Sequence, residues 1–228
     1  MKLSTSFEDA WERFQALDSL RLSEETEWEW SRGRAQMLVF IIRMEEPAVR
    51  RYAADVLERL SNIPGVEPYP AEYWHVTVKV AGFQVIKRTH EDDVLRENVG
   101  RLGRKAAEVL SQQTAYEATV SLPNAFPAVI YLELHDDGKT RELNNALTNG
   151  IEQLISYPID GEAFLAHMSI ARFTSNEGLG QLKDTLAELR SERPGPAFQV
   201  RRVDFVKAWL SDEVPEFQTL ASLRLGAS

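Results

Sequence analysis

Two short runs carry side chains able to do chemistry: "HVTV", starting at His75, and "HMSI", starting at His167. In a β-strand, residues two apart project to one side. His75 and Thr77 therefore share a face, with Val76 and Val78 on the other. In the second run His167 and Ser169 share a face, opposite Met168 and Ile170. Each strand presents an imidazole and a hydroxyl on one side and an aliphatic row on the other. Imidazole gains or loses a proton near neutral pH, and a hydroxyl hydrogen-bonds a substrate oxygen without carrying charge. Brought together, two such pairs supply what in-line cleavage of a phosphodiester needs: a base for the attacking oxygen and an acid for the leaving one. The hydroxyls hold the non-bridging oxygens. A single His-x-Thr is common on sheet surfaces. Two copies, using two of only four His in the chain, are not.

The elements that must position these runs follow from periodicity. Phe7, Ala10, Trp11, Phe14, Leu17 and Leu20 recur at three- and four-residue spacing, which predicts an amphipathic helix over 6–20 with Ser6 as its cap. The polar stretch 23–34 reads as its extension or a linker. A β-branched strand is expected over 35–44 and a helix over 45–62 with Pro47 in its first turn. The first His strand follows at 72–80, then a helix over 91–113 with Gly100 and Gly103 in its middle. Two strands joined through "AFP" at 125–127, a helix over 139–155, the second His strand at 165–173 and a helix over 177–190 come next. Two strands, 198–212 and 216–226, close the chain. The phrase of helix, His strand, helix and two strands is thus said twice. The expected fold is α+β: a bilobal pseudo-twofold duplication with two antiparallel sheets, helices on their outer faces and a central cleft. Residues 1–34 are read as an N-terminal extension and 35–228 as one two-lobed domain.

Composition narrows the function classes. With no Cys, disulfides, thiolate nucleophiles and Cys-based zinc sites are all excluded. The N-terminus has no apolar signal region, and the longest apolar run, "MLVFII", is far short of the ~20 residues of a membrane helix. A soluble, cytoplasmic protein that acts as a monomer is expected. The net charge of −9 argues against long duplex nucleic acid as a partner, though not against a small phosphate substrate in a local pocket.

"HVTV" and "HMSI", together with "MLVFIIRM", "HVTVKVAGF", "NAFPAVIYLEL", "AHMSIAR" and "VDFVKAWLSDEVPEFQTL", resemble the 2H phosphoesterase superfamily. The branch they are most similar to is the RNA 2′,3′-cyclic phosphodiesterases, also called 2′-5′ RNA ligases. The resemblance spans roughly residues 35–226. It implies metal-independent, cofactor-free cleavage of a small nucleotide or RNA-end phosphodiester, with His75, Thr77, His167 and Ser169 as the catalytic set. It further implies His167 as base and His75 as acid. Ala208 departs from the pattern, standing where relatives often carry Ser. A second reading is a nucleotide- or RNA-end-binding module with little turnover, but binding alone has no need of two proton-transfer groups.

Other residues invite weaker readings. Lys79, on the face of His75 in an ideal strand, could meet a phosphate. Arg172 lies on the face opposite His167 unless a β-bulge re-aims it, which favours a structural ion pair. Phe83, Phe126 and Phe173 could stack a base or belong to the core. His90 and His135 sit beside acidic residues and read as surface groups rather than metal ligands. Trp28 and Trp30 are read as anchors of the N-terminal extension.

Overall fold

The computed structural model describes residues 4–22, 31–192, 194–210 and 214–226; Trp28 and Trp30 lie outside them. The most apolar runs become strands buried on one or both sides. β1 (Gln36–Arg43) and β3 (His75–Val85) pair antiparallel, as do β6 (Val129–His135) and β7 (His167–Phe173). With β5 (Tyr116–Phe126), β8 (Ala197–Val200), β9 (Arg202–Trp209) and β10 (Glu216–Arg224), they form a sheet of order β10-β9-β1-β3-β7-β6-β5-β8. Two short strands, β2 (Val66–Pro68) and β4 (Asp93–Leu95), pair with β7 and β3. In the middle of this order β3 and β7 meet through one residue pair, Val76 with Met168. The sheet is therefore two four-stranded arms joined at a narrow waist, which gives the bilobal form.

Helices cover the outer faces. α2 (Pro47–Leu60) and α5 (Leu179–Arg190) pack on the arm of β5 to β8, and α3 (Val99–Leu110) and α4 (Lys139–Gly150) on the arm of β1, β3, β9 and β10. The arms are not contiguous halves of the chain. α2 leaves the first arm to cover the second, and α4 leaves the second to cover the first. The segment expected as one strand over 198–212 breaks at Arg201, because β8 pairs with β5 at one edge while β9 pairs with β1 in the other arm.

Two further expectations shift. Residues 91–95 are not helical: Asp93–Leu95 form β4, and a short 3-10 turn over Arg96–Asn98 leads into α3. Arg34 binds Asp92 at 2.5 Å and Asp93 at 2.7 Å, and the other Asp93 oxygen accepts the amides of Thr89 and His90. This polar knot takes the side chains that would have started a helix and releases Val94 into the core. Gly82, at φ 129°, lets the knot pass, since a Cβ there would collide with the Asp92 carbonyl. The helix expected over 139–155 ends at Gly150, where the chain turns to run past Val109.

The N-terminal helix α1 (Phe7–Gln15) begins as expected: the Asp9 amide donates to Ser6 Oγ at 3.0 Å. It ends at Gln15 because Lys183 of α5 caps it, donating to the carbonyls of Gln15 and Leu17 at 2.8 and 2.6 Å. Arg190 stacks 4.7 Å from the Trp11 ring, and Asn124 donates to the Phe7 carbonyl at 3.0 Å. Ala10, Phe14 and Leu20 are buried. α1 thus lies on the inner face of the second arm, against Tyr131.

Candidate functional site

The waist sets the geometry of the two His strands. Val76 opposite Met168 turns both side chains into the core, where each is at most 1% exposed. Continuing that antiparallel register by one residue each way sets Thr77 opposite His167 and His75 opposite Ser169 on the inner face. The four predicted residues are thereby turned to one face at the waist, where Thr77 and His167 line one cavity and His75 lies close enough to His167 to feel its charge; the extended register makes the two imidazoles diagonal neighbours. Diagonal neighbours in such a pair stand about 7–8 Å apart, room for one tetrahedral group between them.

Both imidazoles are fixed in the same way. His75 Nδ1 lies 2.5 Å from the Tyr73 carbonyl, and His167 Nδ1 lies 2.7 Å from the Leu165 carbonyl, in each case two residues upstream. A carbonyl only accepts, so Nδ1 carries the hydrogen and Nε2 is left to exchange a proton with a bound molecule. Aromatic rings hold each imidazole from the side. Tyr73 and Phe217 stand edge-on to His75 at 5.0 and 4.8 Å; Phe126 and Tyr131 flank His167 at 5.1 and 5.0 Å. Of these neighbours sequence reasoning singles out Phe126 alone. Tyr131 is findable only through strand register, which sets it opposite Ser169.

Burial among these rings lowers the pKa of His75 to about 4, against the hydrogen bond to Tyr73, which raises it; the nearby His167 and Arg43 lower it further. Burial also lowers that of His167, again against its backbone hydrogen bond. Because the unfolded chain takes up these protons near the ordinary 6.5 while the fold resists them, stability is expected to fall as pH drops from about 6.5 toward 4. Thermal melts across that range should show a steeper loss for wild type than for His75→Gln. An equal loss in both would contradict the burial assigned to His75.

The other tempting residues separate cleanly. β-bulges interrupt β3 at Val78 and β7 at Ile170, each three residues after its His. The first re-aims Lys79 to the helix side, opposite Phe40, where it is 1% exposed, pairs with Asp160 and donates to the Ile155 carbonyl at 2.8 Å. Lys79 does not reach the cleft, contrary to simple alternation. It anchors the loop 151–165 instead, with Asn144 bridging Asp160 and the Val78 carbonyl at 2.8 Å each. The second bulge turns Arg172 to the inner face, where Glu67 of β2 engages it at 2.9 and 3.2 Å. Phe83 and Phe173 are core residues. His135 lies 3.0 Å from Glu133, and His90 lies 3.1 Å from Arg32. Among the described residues no three His, Asp or Glu converge as a metal-binding set.

A cavity of about 280 Å³ opens beside His167 and Thr77. Its walls come from α1, the β5–β6 turn and the loop 159–165 that Lys79 anchors. Among the described residues no helix is long and apolar enough to cross a membrane.

Two arms meeting at paired His-x-hydroxyl strands, with helices outside, form the architecture of a 2H phosphoesterase. The sequence profile of the 2′-5′ RNA ligase superfamily matches residues 47–209, and the chain belongs to that family. Solved structures share the fold at low identity. TT0787 of Thermus thermophilus superposes with a TM-score of 0.63 at 16% identity, covering 84% of this chain and 99% of that one. Escherichia coli LigT complexed with 3′-AMP gives 0.59 at 17%, covering 84% and 99%. A conserved protein of unknown function from Agrobacterium tumefaciens, ATU0111, gives 0.59 at 16%, covering 82% and 85%. No curated protein matches at the level of sequence.

Proposed function

We propose that the protein is a metal-independent phosphodiesterase acting on nucleotide or RNA-end diesters, among them 2′,3′-cyclic phosphates and 2′-5′ linkages, through His75, Thr77, His167 and Ser169. The observation that carries this reading is the equivalence of the two imidazoles. Each has Nδ1 tied to the carbonyl two residues upstream, which leaves two Nε2 atoms for one bound phosphate. Water adds to phosphorus and one P–O ester bond breaks. One neutral imidazole takes the proton that water loses, and the other, as imidazolium, gives a proton to the departing oxygen. With a 2′,3′-cyclic phosphate the 3′ oxygen leaves and a 2′-phosphate remains. By resemblance His167 is the base and His75 the acid. The anionic diester raises both imidazole pKa values when bound, offsetting the lowering that burial causes in the free protein. Family membership and the LigT complex with 3′-AMP support a nucleotide as one arm of the substrate.

The test is a panel of diesters assayed with EDTA present: 2′,3′-cyclic mononucleotides, 2′-5′ dinucleotides and ADP-ribose-type cyclic phosphates. Turnover of at least one, undiminished by the chelator, is the expected result. Turnover that collapses with EDTA and returns with a divalent ion would overturn the mechanism.

A further inference from the structure

Resting on the diesterase reading above, we propose that the cavity beside His167 receives an apolar ester substituent of the substrate, an alkyl or aryl group, while the nucleoside arm lies on the His75 side. The cavity is contiguous with the chemistry, because His167 and Thr77 are part of its wall. The rest is supplied largely by Phe14 of α1 and Leu17 just beyond it, Phe126 at the end of β5 with Pro127 of the turn that follows, and Ala163 and Phe164 of the anchored loop. Besides His167 and Thr77, among the described residues only Ser4 and Arg13 bring polar side chains to it, and Arg13 is engaged by Asp9 at 2.9 Å. A nucleobase buried here would leave its edge donors and acceptors largely unpaired, which costs more than the ring burial returns. A saturated or aryl group carries no such groups. At about 280 Å³ the space is near the lower end for small-molecule pockets, enough for one ring or a short chain.

The helix that closes this cavity lies outside residues 47–209, the part matched by the family profile. It is held in place by Lys183 on its C-terminal carbonyls and by Arg190 on the Trp11 ring. Without α1 the inner face beside His167 would be an open sheet. With it, a pocket of fixed depth follows the phosphate position.

The experiment uses adenosine 2′-phosphate esterified by methyl, butyl, hexyl or benzyl alcohol, alongside a 2′-5′ dinucleotide. The full-length protein should show kcat/KM rising about fourfold per added methylene until the cavity is full, roughly 60-fold from methyl to butyl. The dinucleotide should fall below butyl. Ala163→Phe, which fills the cavity, should flatten the series; Ile159→Ser, at an exposed position on its lip, should reduce the slope without a threat to folding. Calorimetry with hexylphosphonate and methylphosphonate reads the cavity apart from turnover. Hexylphosphonate should bind at least about tenfold more tightly to wild type, and Ala163→Phe should abolish the difference. If no diester is hydrolysed but the phosphonates still discriminate, the diesterase reading fails and the apolar cavity stands. If diesters are hydrolysed with no dependence on chain length, or the dinucleotide leads, or the two phosphonates bind alike, the inference is overturned.

Discussion

Replacing His75 or His167 with Ala is expected to lower kcat for a cyclic phosphate or 2′-5′ diester by at least ~10²-fold, the lower end for general acid–base catalysis. The double substitution should cost little more than the worse single one, because acid and base act in one transition state. Each imidazole also satisfies a backbone carbonyl, at Tyr73 or Leu165, so loss of the ring has a structural side. Asn separates the two effects: its amide can donate to the same carbonyl but cannot move a proton. His75→Asn and His167→Asn should melt close to wild type and remain as inactive as the Ala variants. Wild type should follow a bell in pH, and because burial lowers both imidazoles in the free protein, its kcat/KM optimum should lie on the acid side of the kcat optimum. A double Ala variant with near wild-type turnover would rule out the assignment.

Thr77→Val and Ser169→Ala are expected to cost about 10²-fold in kcat each, with KM moving less. Register puts each hydroxyl beside the other strand's imidazole, so each is placed to donate to a non-bridging oxygen as charge builds there. Val keeps the branched shape of Thr, and Ala removes one atom from Ser, so packing on the half-buried inner face should survive. If either variant raises KM alone and leaves kcat intact, the hydroxyl binds substrate but does not serve the transition state.

Much of this site is legible without coordinates, and for a definite reason. The same-face relation of His75 with Thr77, and of His167 with Ser169, needs only alternation, and the aliphatic row at Val76 and Met168 fixes which face is buried. The doubled phrase of elements gives two similar arms in kind and number but not their membership, since β5 and β6 join β7 while β9 and β10 join β1. What alternation cannot give is a bulge. Nothing in "VTVKV" or "MSIAR" distinguishes a regular strand from one carrying an extra residue, so alternation sets Lys79 on the wrong face and places Arg172 only conditionally. The break at Arg201 is hidden for a similar reason: the apolar pattern on either side suits a strand, and only pairing partners in different arms show that the strand ends. At Asp92 and Asp93 the acidic helix start is a fair local signal, overridden by the distant Arg34. The covering of the inner face by α1 depends on Lys183 and Arg190, which lie most of the chain away from the carbonyls and ring they hold.

The interleaving of the arms has a consequence for how the chain reaches this state. β1 is zipped to β9 through pairs such as Val39 with Val206, and α2, which follows β1, is spent on the opposite arm. A ribosome that has released only the first half has therefore made neither arm: the first lacks β9 and β10, the second lacks all four of its strands and its helix α5. Such closure between distant segments makes the search slow, in the range of milliseconds to seconds for topologies rich in non-local pairing. Until the last strands arrive, β1 and β5 are exposed sheet edges, the kind of surface that aggregates. Once they arrive, neither arm can melt without uncovering the other, so the molecule should unfold in one step, and the cleft should be lost all at once rather than by degrees.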